Sequence, residues 1–510
     1  MTEDRDAAIA RAEAALGRLA SAADAFDDPL IVSAFDAPQA ARAVSDVRPY
    51  LLFLRARALG YGRSNARRFR WGLSHRSEPG SAACALPPGA LPVHWRPLEV
   101  GEESFARDAT AYGQRLMEPI ALAAQFGFWG RVADDRSLAS DVRAEAAALL
   151  DEATPIAEND LAAWFGATDP WRDTFALWLL SGEPQAVGRL RDLIFALAIR
   201  YGSLAIRQGG LVRGQRFPFK DEALISASAQ LALGLWRCGM YPSVVPSLTA
   251  FVADSVGESG GWADPGQEPD VLTTLAAADL LARIDPGFDP GATIDWFVRH
   301  QEAAGWWRAL DPEVPWLTHA VSGWLEVAEQ PFPERFSWPE APIWARDRLT
   351  GLTTMAILDE LETVLAAVPA LGALPIEVAF VDLAGFGAFN SRQGQVAGDA
   401  VLAMLGASFQ ALAGILPVRI GGDEFLLFGK PGWPAGAVAN ALEPWRHAWA
   451  GAMASMNPGE LVSPRVVWSR STSAELSRLR RALGEAIGAL KLEWPNPPAE
   501  GVIREIGGAS

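Results

Sequence analysis

The chain is 510 residues long, half of them hydrophobic and 21% charged, with a formal net charge of −17. This composition is that of a well-buried globular protein of two to four domains, and it excludes a disordered chain. The charge argues against a general nucleic-acid binder and against docking on anionic lipid, while two unclustered cysteines, Cys84 and Cys238, exclude a disulfide framework and a cysteine-rich zinc site.

The first residues, Met1 to Asp6, are acidic and give no signal peptide. An Ala-rich amphipathic stretch follows and predicts a helix from Asp4 to about Ala25. Residues 1–100 form an N-terminal helical region that is otherwise poorly legible. It holds a basic cluster of Arg55, Arg57, Arg63, Arg67, Arg68, Arg70 and Arg76. Two readings stand for that cluster: a seat for a diphosphate, a nucleotide or an acidic partner, or a solvated face balancing acidic neighbours.

Residues 101–335 read as helical throughout and use tryptophan heavily. Phe251-Val252 leads to Gly260-Gly261-Trp262, and Pro269-Asp270-Val271 then opens an apolar helix. About 45 residues later Phe297-Val298 leads to Gly305-Trp306-Trp307, and Pro315-Trp316-Leu317 opens another. A fainter copy runs from Ile206 to Gly210 and into a helix near Glu222–Trp236. Repeats of this length predict stacked helical hairpins, none able to bury its apolar face alone. The string Gln301-Glu302-Ala303-Ala304-Gly305-Trp306-Trp307 resembles the Gln-x-x-x-Gly-x-Trp element of squalene-cyclase and prenyltransferase-like α/α toroids. That resemblance implies concentric helices around an apolar, aromatic-lined cavity able to take an isoprenoid or another hydrophobic ligand.

Catalysis there has little support in the sequence. The Asp-x-Asp-Asp motif of cyclases of that fold is missing, and the aspartate pairs Asp27-Asp28 and Asp134-Asp135 lack the third acid of a metal motif. Cys238, His300 and His319 have no Asp-x-Cys element beside them for zinc. The tryptophans are therefore expected to pack the repeats. Pro331, Pro333, Pro339 and Pro342, set among Phe336 and Trp338, predict a semi-rigid connector, with the linker at 336–345.

Residues 346–510 carry the chemistry. Arg346 to Leu352 is a polar, glycine-containing turn before a helix, and Val378–Val381 is a strand that delivers Asp382. Ala400 to Val418 reaches membrane-spanning length without a charge, yet Ser408, Gln410, glycines and Pro417 favour helix, loop and strand. No membrane span is expected, and the chain reads as soluble and cytoplasmic. Leu416–Ile420 and Phe425–Phe428 flank a Gly421-Gly422-Asp423 turn as a hairpin. The glycine pair allows a tight turn and close approach of a phosphate, and the carboxylates of Asp423 and Glu424 could hold a cation against it.

The series Asp347…Leu349-Thr350-Gly351-Leu352, Asp382…Asn390…Gly398-Asp399 and Arg419…Gly421-Gly422-Asp423-Glu424-Phe425 resembles the GGDEF domain of diguanylate cyclases. Asn390 and Asp399 fall 8 and 17 residues after Asp382, as in that family. The expected fold class is thus multidomain: all-α, toroid-like helical repeats over 101–335, then an α+β GGDEF domain of the nucleotide-cyclase-like kind. The resemblance implies condensation of two GTP to cyclic di-GMP by a homodimer, with Mg²⁺ or Mn²⁺. It casts Asp382, the Leu383 carbonyl and Asp423 as metal ligands, and Glu424 with Asp423 as catalytic. Asn390 and Asp399 would read the guanine edge, and Phe386, Gly421, Gly422 and Lys491 would complete the nucleotide site.

The sequence departs from the family pattern at several positions. Gly387 stands for a phosphate-binding lysine, Ala384 for a second acid, Ser391 for an aspartate and Gln395 for a histidine. Trp494-Pro495-Asn496 replaces a Gly-x-Asn ending, and Leu412 and Ile415 occupy the positions of the Arg-x-x-Asp feedback site. The leading expectation is a cyclase regulated by a helical toroid. Its rivals are a degenerate GGDEF domain that binds GTP as a regulatory ligand, and a toroid that binds or converts isoprenoids.

Overall fold

The computed structural model describes residues 2–25, 170–182, 184–214, 221–307, 315–339, 345–456 and 462–507, with scattered helical positions between 133 and 151. The arginine cluster at 55–76, Cys84 and both aspartate pairs lie outside the described residues. Two compact units emerge: Met1–Leu235 with Ser247–Leu281 and Asp289–Glu329, and Trp236–Pro246 with Ala282–Phe288 and Gln330–Ser510.

The first unit is helical among its described residues. Its main helices are α1 (Thr2–Ala25), α2 (Pro170–Ser181), α3 (Arg191–Arg207), α4 (Ile225–Cys238), α5 (Val245–Asp254), α6 (Val271–Ile284), α7 (Gly291–His300) and α8 (Pro315–Ala328), with the ends of α4 and α6 and the start of α5 assigned to the second unit. The repeat read from the sequence returns as a repeated hydrogen-bond pattern. The Trp262 indole donates to the Val252 carbonyl and the Trp307 indole to the Phe297 carbonyl, both at 2.8 Å. The backbone N–H of Trp262 donates to Thr274 Oγ1 at 3.0 Å, and that of Trp307 to Thr318 Oγ1 at 3.1 Å. In the fainter copy, Val212 N–H donates to Ser228 Oγ at 3.4 Å. Each loop is thus stitched to the start of the helix that follows it. Trp262 and Trp307 are fully buried, so they pack the repeat, as expected. His300 stacks on Trp296 with centroids 4.0 Å apart, and its Nδ1 lies 2.8 Å from the Trp296 carbonyl.

Three glycines at positive φ mark the contact between successive copies: Gly210 (85°), Gly260 (88°) and Gly305 (93°). A Cβ on Gly210 would press into Ser247 of α5, and one on Gly260 would overlap the Ala292 carbonyl of α7. A Cβ on Gly305 would overlap the Arg11 carbonyl of α1. The N-terminal helix therefore takes the position that the first helix of a further repeat would fill. It is held there by the buried face of Ala8, Ala12 and Ala15, by Gln301 Nε2 donating to the Ala8 carbonyl at 2.8 Å, and by an Arg5–Glu329 ion pair.

Asp264 is buried in these repeats, with no ion pair to a cation among the described residues. Asp264 accepts hydrogen bonds from the N–H and hydroxyl of Ser226 in the first turn of α4. Burial pushes its carboxyl up to about 6, against the lowering effect of those bonds. A raised carboxyl favours the folded state below the unfolded pKa, and that contribution is lost as pH rises through about 6. Urea midpoints of the helical unit should fall between pH 4 and pH 7 by the equivalent of about 2–3 kcal/mol. The Asp264→Asn variant should flatten that slope, and an unchanged slope would refute the assignment.

The second unit is built on a six-stranded sheet in the order β1-β3-β4-β2-β5-β6. The strands are β1 (Thr353–Thr354), β2 (Pro375–Ala384), β3 (Leu416–Gly421), β4 (Glu424–Phe428), β5 (Ser463–Thr472) and β6 (Val502–Glu505). Helices α9 (Leu358–Ala367), α10 (Phe386–Gln393), α11 (Gln395–Gln410), α12 (Ala437–Met456) and α13 (Leu476–Glu493) complete it. Strand β2 is buried almost end to end because β4 and β5 pair antiparallel on its two sides. One core gathers Phe389, Leu405 and Phe409 with Phe425, Trp445 and Trp449. The uncharged 400–418 stretch divides into the end of α11 and the start of β3, and no helix among the described residues is long and apolar enough to cross a membrane.

The proline-rich connector is packed by its aromatic residues over its described part. Phe336 is buried between Trp236 and Trp338, in edge-on contacts of 5.9 and 5.0 Å, and Trp338 meets Phe428 at 6.5 Å. The Trp236 indole donates to the Ser337 carbonyl at 3.1 Å. The aromatic residues between the prolines bury too much apolar surface to be left in water.

Candidate functional site

Strand β2 delivers Asp382 to the sheet centre, where its Cα pairs with Glu424 on β4 and with Arg465 on β5. The Leu383 N–H donates to the Asp423 carbonyl at 3.3 Å, so strand and hairpin tip lie side by side. Gly421 and Gly422 are exposed at the tip, Asp423 and Glu424 are half-buried, and Phe386 is buried at the start of α10.

The charges here are tightly paired. Asp382 is 2% exposed and Arg465 7% exposed, and Arg465 Nη1 donates to Asp382 Oδ2 at 2.7 Å. Lys491, on the last turn of α13, lies 2.9 Å from Asp382 Oδ1 and 2.8 Å from Glu424 Oε1. Burial acts to lower the lysine's pKa, but its bonds to Glu424 and Asp382 outweigh that and hold it above the ordinary value. The Asp423 carboxyl is pushed up, first by burial and then by the neighbouring Asp382 charge.

A second network braces the hairpin. Asp347 Oδ1 accepts from the Thr350 N–H and hydroxyl at 2.8 and 2.7 Å and from Arg419 Nη1 at 2.7 Å. Arg419 Nη2 also donates to the Gly422 carbonyl at 2.7 Å. Burial would raise the Asp347 pKa, but Thr350 and Arg419 prevail and hold it below the usual carboxylate range. The turn at 347–352 and the hairpin, 72 residues apart in sequence, are thereby one structure.

Asn390 of α10 lies against Gly398 of α11, the residue before Asp399. The Oδ1 atom of Asn390 is buried and accepts no hydrogen bond, an orphan acceptor that calls for a donor. Gly398 makes its position possible, since a Cβ there would overlap Asn390 Oδ1. Asp399 is half-buried and accepts from Gln395 Nε2 at 3.2 Å.

Residues 344–431 match the family described as "Diguanylate cyclase, GGDEF domain". This segment is a GGDEF domain. Among solved structures, the GGDEF domain of DgcB from Caulobacter crescentus in complex with c-di-GMP is 23% identical, covering 32% of this chain and 96% of that one, with a TM-score of 0.28. The diguanylate cyclase SiaD from Pseudomonas aeruginosa, in complex with its activator SiaC, is 22% identical over 32% of this chain and 61% of that one, with a TM-score of 0.26. The active GGEEF domain of a diguanylate cyclase from Vibrio cholerae is 18% identical over 27% and 85%, with a TM-score of 0.22. No curated protein matches the chain.

The GGDEF domain's acidic set does not fit Mg²⁺ or Mn²⁺ as it stands. A divalent ion takes carboxylate oxygens directly, yet each Asp382 oxygen already faces a cationic side chain. Among the described residues no three His, Cys, Asp or Glu side chains are gathered to hold a metal ion. Arg465, paired with Asp382, is the residue of this site that motif reading misses. A guanidinium on a largely buried strand needs polar partners, but only the β2–β5 register shows that Asp382 is one of them. Gly387, in place of the lysine, is exposed with open space where a side chain would point.

Proposed function

We propose that the GGDEF domain binds GTP as a regulatory ligand in a signalling protein, without condensing it at an appreciable rate. The observation that carries this reading is the closure of Asp382 between Arg465 and Lys491. The carboxylate that the family resemblance assigns to metal is neutralised from within, while the guanine-reading pair keeps an orphan acceptor at Asn390. Loss of the lysine at Gly387 points the same way, since one charged hydrogen bond is worth ~1.5–3 kcal/mol.

A cyclase remains the second reading, favoured by Asp423 and Glu424 at an intact hairpin tip. It requires two copies to face each other, so its rate would rise with protein concentration. The helical unit is proposed to be an α/α toroid closed by α1 and to act as the sensory module, with a hydrophobic compound as its ligand class. The recurring Trp-to-carbonyl bonds and the glycine contacts between copies support that architecture.

Competition for a fluorescent guanine nucleotide tests the reading. GTP should displace the probe and ATP should not, because adenine lacks guanine's adjacent N1–H and N2–H2 donors and so cannot serve Asn390 Oδ1 and the Asp399 carboxylate together. Gly398→Ala should weaken guanine binding by about tenfold or more, the worth of one hydrogen bond in a buried site. Equal displacement by ATP, or an unaffected Gly398→Ala variant, would contradict it.

A further inference from the structure

Beside the hairpin's acids, the opposite neighbour of Asp382 has a role no motif assigns. Each nitrogen of the Arg465 guanidinium donates a hydrogen bond: Nη1 to Asp382 at 2.7 Å, Nε to the Trp494 carbonyl at 2.8 Å and Nη2 to the Pro495 carbonyl at 2.6 Å. We propose that Arg465 is a built-in cation standing in for a divalent metal beside Asp382, so that the site holds a guanine nucleotide without Mg²⁺ or Mn²⁺. The proposal rests on the reading of this domain as a guanine-nucleotide binder and adds the metal independence.

Two cations flank Asp382, and they differ in freedom. Lys491 is 37% exposed, on a flexible stem, and can turn from Glu424 toward a phosphate. Arg465 cannot turn away: its planar fork is fixed by two backbone carbonyls of the segment that follows α13. A divalent ion entering at Asp382 would meet that fixed positive charge in a site nearly closed to water, where repulsion is poorly screened. Glu424 is also engaged, by Lys491 at 2.8 Å. Among the described residues Asp423 is the one acid of the three without an ion pair, and with Asp382 and Glu424 engaged it is the one protein carboxylate left to meet a nucleotide-borne Mg²⁺, fewer than the pair the family resemblance supplies. Base recognition through Asn390 and Asp399, with Lys491 at the phosphates, is what such a site retains.

The test is calorimetric titration of GTP into the full chain, once with Mg²⁺ and once with EDTA, together with a titration of Mn²⁺ alone. The expected result is a dissociation constant that changes by less than about threefold between the two buffers, and no saturable Mn²⁺ site. Binding in Mg²⁺ that is lost about tenfold or more in EDTA would overturn the metal independence and leave guanine recognition standing. No binding in either buffer would overturn both. Arg465→Ser, checked for folding by circular dichroism, should acquire a Mn²⁺ site and Mg²⁺-dependent affinity, whereas Arg465→Lys should not. If neither variant folds, the wild-type comparison decides alone.

Discussion

Arg465→Met should destabilise the GGDEF domain by about 3 kcal/mol or more, because it leaves Asp382 buried with only the peripheral Lys491 as partner. The loss includes the two carbonyl bonds that tie Trp494 and Pro495 to the sheet. For a domain of this size the midpoint should drop by roughly 6–12 °C. The double variant Arg465→Met/Asp382→Leu should recover most of that, since an apolar pair of similar volume avoids the desolvation of two ions. A single variant as stable as wild type, or a double variant no better than the single, would show that the pair carries no such strain.

The other large effect belongs to the helical unit. Gly305→Ala puts a side chain at φ 93° and against the Arg11 carbonyl of α1. The left-handed backbone alone costs about 1–2 kcal/mol, and displacing α1 would add to it by exposing the Ala8–Ala12–Ala15 face. Removal of residues 2–25 should lower the melting temperature of the unit by at least as much as the point variant. Gly323→Ala, in α8 with open space around it, is the control and should be neutral or slightly stabilising. If Gly305→Ala matches that control, α1 does not close the repeat as described.

The C-terminal domain was legible in the sequence because its chemistry is local. A glycine-pair hairpin between apolar runs, and a strand ending in Asp382, could be read from residues a few positions apart, and the structure pairs them directly. The link between Asp347 and Arg419 was half legible: both residues stood out, but their bond crosses from a turn to a strand. Arg465 was not read, since its meaning depends on register: it matters because its Cα faces Asp382 across β2 and β5. The repeat was visible as recurring Gly-Trp strings, whereas the placement of α1 beside the last copy is a long-range packing event with no local signature. The packing of the connector was not legible for a related reason: the apolar partners of Phe336 and Trp338 lie elsewhere in the chain.

The central claim, nucleotide recognition without turnover, meets its most direct test in one reaction followed for two products. Purified full-length chain is incubated with labelled GTP over a range of protein concentrations, with Mg²⁺ or Mn²⁺, while bound nucleotide and cyclic di-GMP are read from the same samples. The account predicts saturable GTP binding and no cyclic di-GMP above a no-protein control at any concentration. Cyclic di-GMP that rises with protein concentration and disappears in Asp423→Ala would contradict it and establish the cyclase.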